Sequence, residues 1–131
     1  MTGPRILLVE DEFLIRLAIA ETLEDEGFEV VQAETGDAAH ALLEAELAFG
    51  TGFDVLLTDI NLPGARNGLR LAEEARAMLP GLRVIYATGR PDTMAGARMG
   101  PHDAFLPKPY GPAEVLHVLR RTLDGNGTEA K

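Results

Sequence analysis

The sequence predicts an α/β fold: a doubly wound, five-stranded parallel sheet with helices on both faces. Five short apolar runs alternate with helical patterns along the chain, the signature of repeated βα units. The runs are close to continuously apolar, as strands covered on both faces require. The 131 residues, 46% of them apolar, supply the core of one domain. A domain of this size buries about 68% of its unfolded surface, so neither disulfide nor metal staple is needed.

Ile6–Val9 is the first strand. Phe13 to Glu26 follows as a helix, with Phe13, Leu14, Leu17, Ala18 and Leu23 on one stripe and Gly27 as its stop. Glu29–Gln32 is a second strand, less apolar and therefore placed at the sheet edge. Asp37 to about Ala48 has helical spacing through Ala38, Ala41, Leu42 and Ala45, broken by Gly50-Thr51-Gly52. Asp54–Thr58 is the third strand, and Asn61 to Gly68 is a loop dense in turn formers. Leu69 to Leu79 is helical, with Leu71, Ala72, Ala75, Met78 and Leu79 inward, and ends at Pro80-Gly81. Arg83–Ala87 is the fourth strand. Pro91 to Met99 holds a short helix weakened by Gly96. Ala104–Leu106 is the fifth strand, and Pro112 opens a last helix through Val115, Leu116, Leu119 and Leu123. The domain is expected over 1–123, with 124–131 a flexible tail of small and polar residues.

Composition narrows the function classes. The chain has no cysteine, which excludes disulfides, thiolate zinc sites and thiol nucleophiles. A net charge of −9 opposes direct binding to nucleic acid or to an anionic membrane surface. No apolar run approaches the ~18 residues of a membrane span, and Met1 to Arg5 does not open a signal peptide. A cytoplasmic protein is expected, and Asn126-Gly127-Thr128 then carries no meaning as a glycosylation acceptor.

In a doubly wound sheet ligands sit beyond the carboxyl ends of the strands. Four of the five strands end in polar residues: strand one in Glu10-Asp11, strand three in Asp59, strand four in Thr88, strand five in Lys108. Each alone is ordinary, since carboxylates after strands often cap the next helix. Together they define a site, because parallel topology brings them to one edge. Three clustered carboxylates repel one another; at ~4 Å and an effective dielectric near 20 each pair costs about 4 kcal/mol. A hard, partly hydrated Mg²⁺ relieves that repulsion. Lys108 adds a compact positive charge and Thr88 a hydroxyl, completing a set that stabilises a phosphoryl group in transfer.

The stretches Ile6-Leu7-Leu8-Val9-Glu10-Asp11-Glu12, Leu56 to Gly64, Ala87-Thr88-Gly89 and Phe105-Leu106-Pro107-Lys108-Pro109-Tyr110 resemble the receiver domains of bacterial two-component response regulators. The resemblance spans about residues 4–123, in the family's order and spacing. It implies a flavodoxin-like strand order 2-1-3-4-5. It further implies Asp59 as phosphoacceptor, and Mg²⁺ held by Glu10, Asp11, Asp59 and the backbone carbonyl of Asn61. Lys108 and Thr88 would bind the phosphoryl group, Thr88 doubling as the switching hydroxyl, and Lys108-Pro109 would be cis. The implied donor is a sensor histidine kinase or a histidine phosphotransfer protein, and the implied output is a changed surface offered to a downstream protein or to a second copy in a homodimer. Two departures stand out. The switch aromatic is Phe105, which has no hydroxyl, and Tyr86 in Tyr86-Ala87-Thr88-Gly89 resembles a stand-alone subgroup whose later aromatic is here replaced by Arg90-Pro91. The segment 89–100, rich in glycine, is expected to move with Thr88.

Other readings are weaker. A haloacid-dehalogenase-type phosphatase needs a second Asp at position 61, where this chain has Asn. A flavodoxin-like cofactor carrier needs a neutral phosphate cradle where this chain has Glu10-Asp11-Glu12. A pseudo-receiver interaction module would leave key positions unfilled, and all are filled. A phosphate sink or relay intermediate stays open, since no effector segment follows the last helix. His40, His102 and His117 lack the spacing of a metal or phosphorelay site. Gly36, Gly64, Gly68 and Gly89 read as turn makers, Met78, Met94 and Met99 as core fillers, and Arg66 as solvated.

Overall fold

The computed structural model describes residues 3–90 and 103–124. Its elements alternate as β1 (Arg5–Val9), α1 (Phe13–Asp25), β2 (Glu29–Ala33), α2 (Gly36–Ala48), β3 (Val55–Asp59), α3 (Gly68–Met78), β4 (Arg83–Thr88), β5 (Ala104–Pro107) and α4 (Pro112–Leu123). The five strands form one parallel sheet in the order β2-β1-β3-β4-β5. Among the described residues, β1 and β2 run parallel because the covering helix α1 returns the chain between them, and α3 does the same between β3 and β4.

The period-two alternation of strand side chains divides the core in two. Leu7, Val9, Leu56, Val84 and Tyr86 face α2 and α3. Ile6, Leu8, Val55, Leu57, Ile85 and Ala87 face α1 and α4. The residues on both faces of β1, β3 and β4 are almost wholly buried, which explains why those strands read as unbroken apolar runs. β2 is an edge strand whose first three residues are only half-buried, in line with its weaker apolar character.

Helix starts follow local chemistry. Thr35 Oγ1 accepts from Ala38 N at 3.0 Å and Asn67 Oδ1 from Arg70 N at 2.9 Å, each satisfying one orphan amide of a first turn. The Glu114 carboxylate accepts from Gly111 N at 2.6 Å to open α4.

Two of the sequence-predicted helical stripes are largely wrong, Leu23 of α1 being buried as expected. α1 buries Ile19, Ala20 and Leu23, while Phe13 is 61% and Leu14 76% exposed. Its first turn stands at the carboxyl edge of the sheet, past the strands that would have covered it. α2 buries Gly36, Ala39 and Leu43 rather than Ala38, Ala41, Leu42 and Ala45. Ala and Leu occupy eight of its thirteen positions, so periodicity leaves the phase open. Packing decides it: a Cβ on Gly36 would lie 2.2 Å from the Arg66 carbonyl oxygen. Gly36 is thus a contact residue and not a turn maker. Arg66 is not solvated either, since its guanidinium pairs with Glu74 at 2.6 Å and with Asp37. The expected helix at Pro91–Met99 and the tail at 125–131 lie outside the described residues.

Candidate functional site

The site forms at the carboxyl edge of the sheet, where backbone ladder bonds continue one residue beyond the strands. Glu10 N donates to Ala33 O at 3.1 Å, Ile60 N to Ala87 O at 2.9 Å, and Lys108 N to Thr88 O at 2.9 Å. These bonds lock the chain directions from which Glu10, Asp59 and Lys108 project. From below, α3 begins against Asp59 itself: a Cβ on Gly68 would meet the Asp59 carbonyl oxygen at 2.2 Å. Only glycine lets the helix approach that closely.

Glu10, Asp11 and Asp59 each present a carboxylate oxygen, all within 4.8 Å of one another. Glu10 and Asp59 are buried and Asp11 is exposed. Lys108 Nζ donates to Glu10 Oε1 and to Asp59 Oδ2, both at 3.1 Å. One ammonium against three carboxylates leaves the cluster net negative. Its oxygen-only donor set suits a hard divalent cation such as Mg²⁺.

The protonation equilibria carry the mark of burial. Desolvation pushes the Asp59 carboxyl above its usual range; the Lys108 charge offsets only part of this, and Asp11 adds to the rise. Desolvation also raises Glu10, partly offset by the Glu12 amide, which donates to Glu10 Oε2 at 3.0 Å, and by Lys108. Burial alone would lower Lys108, yet its hydrogen bond to Glu10 and the charges of Asp59 and Glu10 outweigh it and hold the ammonium above the ordinary lysine range.

Thr88 is fully buried. Its hydroxyl donates to Asn61 Oδ1 at 2.8 Å and accepts from Arg90 N at 2.9 Å. Tyr86 and Phe105 are register partners on β4 and β5; Tyr86 is buried in the α2–α3 core and Phe105 packs against it half-exposed. The Lys108–Pro109 peptide is cis. Among the described residues no histidine joins the acid cluster, and His117 is exposed on α4.

Sequence reasoning assigned no role to Tyr110 or Arg16. Tyr110 lines a cleft with Glu12, Ile15, Gly89, Lys108 and Pro109. Burial, with the Glu10 charge nearby, pushes its phenol up to about 12. Arg16 Nη1 donates to the Glu10 carbonyl at 2.8 Å, bracing the strand end. A lone cation among the apolar residues of the first turns of α1 was the available signal. The side chain of Asn61 also joins the site through Thr88, a contact that loop sequence does not signal.

The response regulator receiver domain model matches residues 6–120. The chain is 34% identical over 131 residues to the aerobic respiration control protein ArcA of Escherichia coli K12, covering 95% of this chain and 52% of that one. It therefore spans about half the length of this curated relative. Among solved structures it superposes on a CheY-like response regulator receiver domain protein from Methanospirillum hungatei JF-1 with a TM-score of 0.80 and 30% identity, covering 98% of this chain and 100% of that one. It also superposes on the response regulator protein TrrA from Thermotoga maritima in complex with Mg²⁺ and BeF, with a TM-score of 0.73 and 27% identity, over 92% and 99% of the two chains. Sheet order, polar strand ends and acidic cluster agree with that match over most of the sequence: the chain belongs to the response regulator receiver domain family of two-component systems.

Proposed function

We propose that this chain accepts a phosphoryl group on Asp59 from a phosphohistidine on a donor protein, with Mg²⁺ held by Glu10, Asp11, Asp59 and the Asn61 carbonyl. The observation that carries this reading is the shared Lys108 ammonium, 3.1 Å from both Glu10 Oε1 and Asp59 Oδ2 beside Asp11. One Asp59 carboxylate oxygen attacks phosphorus as the phosphorus–nitrogen bond breaks. The donor imidazole leaves with the electron pair and takes up a proton. A divalent metal held by Glu10, Asp11 and Asp59 would supply neutralisation of charge on the phosphoryl oxygens. Lys108 holds a compensating charge at the acceptor oxygen, and its high proton affinity keeps it cationic throughout. Gly68 and the ladder bonds hold Asp59 in place, so little reorganisation accompanies the transfer.

The donor is a histidine kinase or a histidine phosphotransfer protein, and its docking face is the first turn of α1. Phe13, Leu14 and Ile15 are exposed there, and Ile15 lines the same cleft as Lys108 and Tyr110. Apolar contact area thus borders the cleft that Lys108 lines. The family's role as a signalling module supports an output through contact with another protein.

Incubation with acetyl phosphate, followed by intact mass, tests the acceptor. A gain of one phosphoryl group is expected with Mg²⁺, and none after EDTA or in Asp59→Asn. Full labelling of Asp59→Asn, or no labelling of the wild type with Mg²⁺, would overturn the assignment.

A further inference from the structure

We propose that the side chain of Asn61 is a latch that holds the Thr88 hydroxyl in the resting arrangement and sets how readily Thr88 turns to a phosphoryl group. The proposal rests on the phosphoacceptor reading and deepens it. A threonine hydroxyl has one proton to give. At Thr88 the short bond goes to Asn61 Oδ1 at 2.8 Å, while the Arg90 carbonyl lies 3.5 Å away. A lone pair of the same oxygen accepts from Arg90 N at 2.9 Å. The hydroxyl is thus engaged as donor and as acceptor by groups other than Asp59.

Asn61 is itself exposed, but the backbone that carries this acceptor is anchored on both sides. Asn61 stands between Ile60 and Leu62, which are 2% and 7% exposed. Leu62 N returns to Ile60 O at 3.0 Å, and Gly68 N donates to the same carbonyl at 2.9 Å. Further along the loop Arg66 is paired with Glu74 and Asp37, tying it to two helices. The anchored backbone thus limits how far Asn61 can follow Thr88 when the hydroxyl turns. Donation to a phosphoryl oxygen on Asp59 breaks the Asn61 bond, and the resting state is favoured by the worth of that bond. A neutral hydrogen bond of this kind shifts an equilibrium about threefold to tenfold. Asn61 is then a positioning residue, acting through Thr88, in addition to any backbone contact it makes with metal.

Two measurements decide the point. In the free protein, with no phosphoryl group or mimic, three-bond couplings to the Thr88 methyl report its χ1 rotamer. The wild type should show one rotamer, Asn61→Ala an average, and Asn61→Asp, which restores an acceptor, one rotamer again. Beryllofluoride affinity at saturating Mg²⁺ is then measured in a double-mutant cycle. Asn61→Ala should bind about threefold to tenfold tighter than wild type, and should bring no gain in a Thr88→Val background. An averaged Thr88 in the wild type, an unchanged rotamer in Asn61→Ala, or the same gain in both backgrounds would overturn the latch. Absence of beryllofluoride binding by the wild type would instead count against the phosphoacceptor reading, and the couplings would still decide the latch.

Discussion

Replacing Asp59 with Asn should stabilise this protein when divalent metal is absent. The pairwise charges at Asp59 nearly cancel. Lys108 Nζ at 3.1 Å attracts it by about 5 kcal/mol at an effective dielectric near 20. Glu10, within 4.8 Å, repels it by about 3.5 kcal/mol on the same basis, and the exposed Asp11 by about 1 kcal/mol after solvent screening. Desolvation then decides the sign. Asp59 is only 7% exposed, and an ion placed there costs several kcal/mol before its hydrogen bonds are counted. The upward shift of its carboxyl, with burial as the largest cause, has the same sign. An isosteric amide keeps the shape, removes the charge and leaves Lys108 bonded to Glu10. A net gain of about 1–2 kcal/mol follows, or a rise in Tm of about 4–8 °C for a domain of this size. Urea unfolding in EDTA measures it directly. Repeating the titration in Mg²⁺ should shrink or reverse the difference, because metal stabilises the form that binds it better. A less stable Asp59→Asn protein in EDTA would show that the Lys108 attraction, and not burial, dominates the site.

Asp103→Ala should cost about 3–5 kcal/mol in the same assay, because Asp103 is 2% exposed, pairs with Arg76 and accepts from Val84 N at 3.0 Å; a loss under 1 kcal/mol would refute the pairing as a structural element. The Tyr110 phenol is raised to about 12 in the folded state, so above pH ~10 the unfolded chain loses that proton first and stability falls as the pH approaches 12. Tyr110→Phe should lack this part of the alkaline loss, and identical alkaline profiles for the two proteins would contradict it.

The sheet was legible because β1, β3 and β4 are buried on both faces, and such strands have no alternative but a continuous apolar run. α3 was legible for the opposite reason: Leu71, Ala72 and Ala75 are buried and stand among charged residues that mark the other face. α1 and α2 lacked that contrast. In α2 the face was chosen by a backbone approach, Gly36 against the Arg66 carbonyl, which leaves no trace in hydrophobic periodicity. In α1 the apolar first turn extends past the sheet. Its exposure is invisible to a pattern that records only which residues are apolar.

The candidate site divides along a similar line. Glu10, Asp11, Asp59, Thr88 and Lys108 could be read because topology alone brings strand ends together, whatever their side chains do. The Asn61–Thr88 bond could not be read, since it depends on how the loop from Asn61 to Asn67 is folded back over the strand ends. That difference has a mechanistic consequence. The groups proposed to carry the chemistry project from chain held by sheet hydrogen bonds, which open only with the core. The hydroxyl proposed to report the chemistry spends its one proton on a loop side chain. Substitution at position 61 therefore has a route to tune the switch while the metal and phosphoryl ligands stay where the sheet holds them.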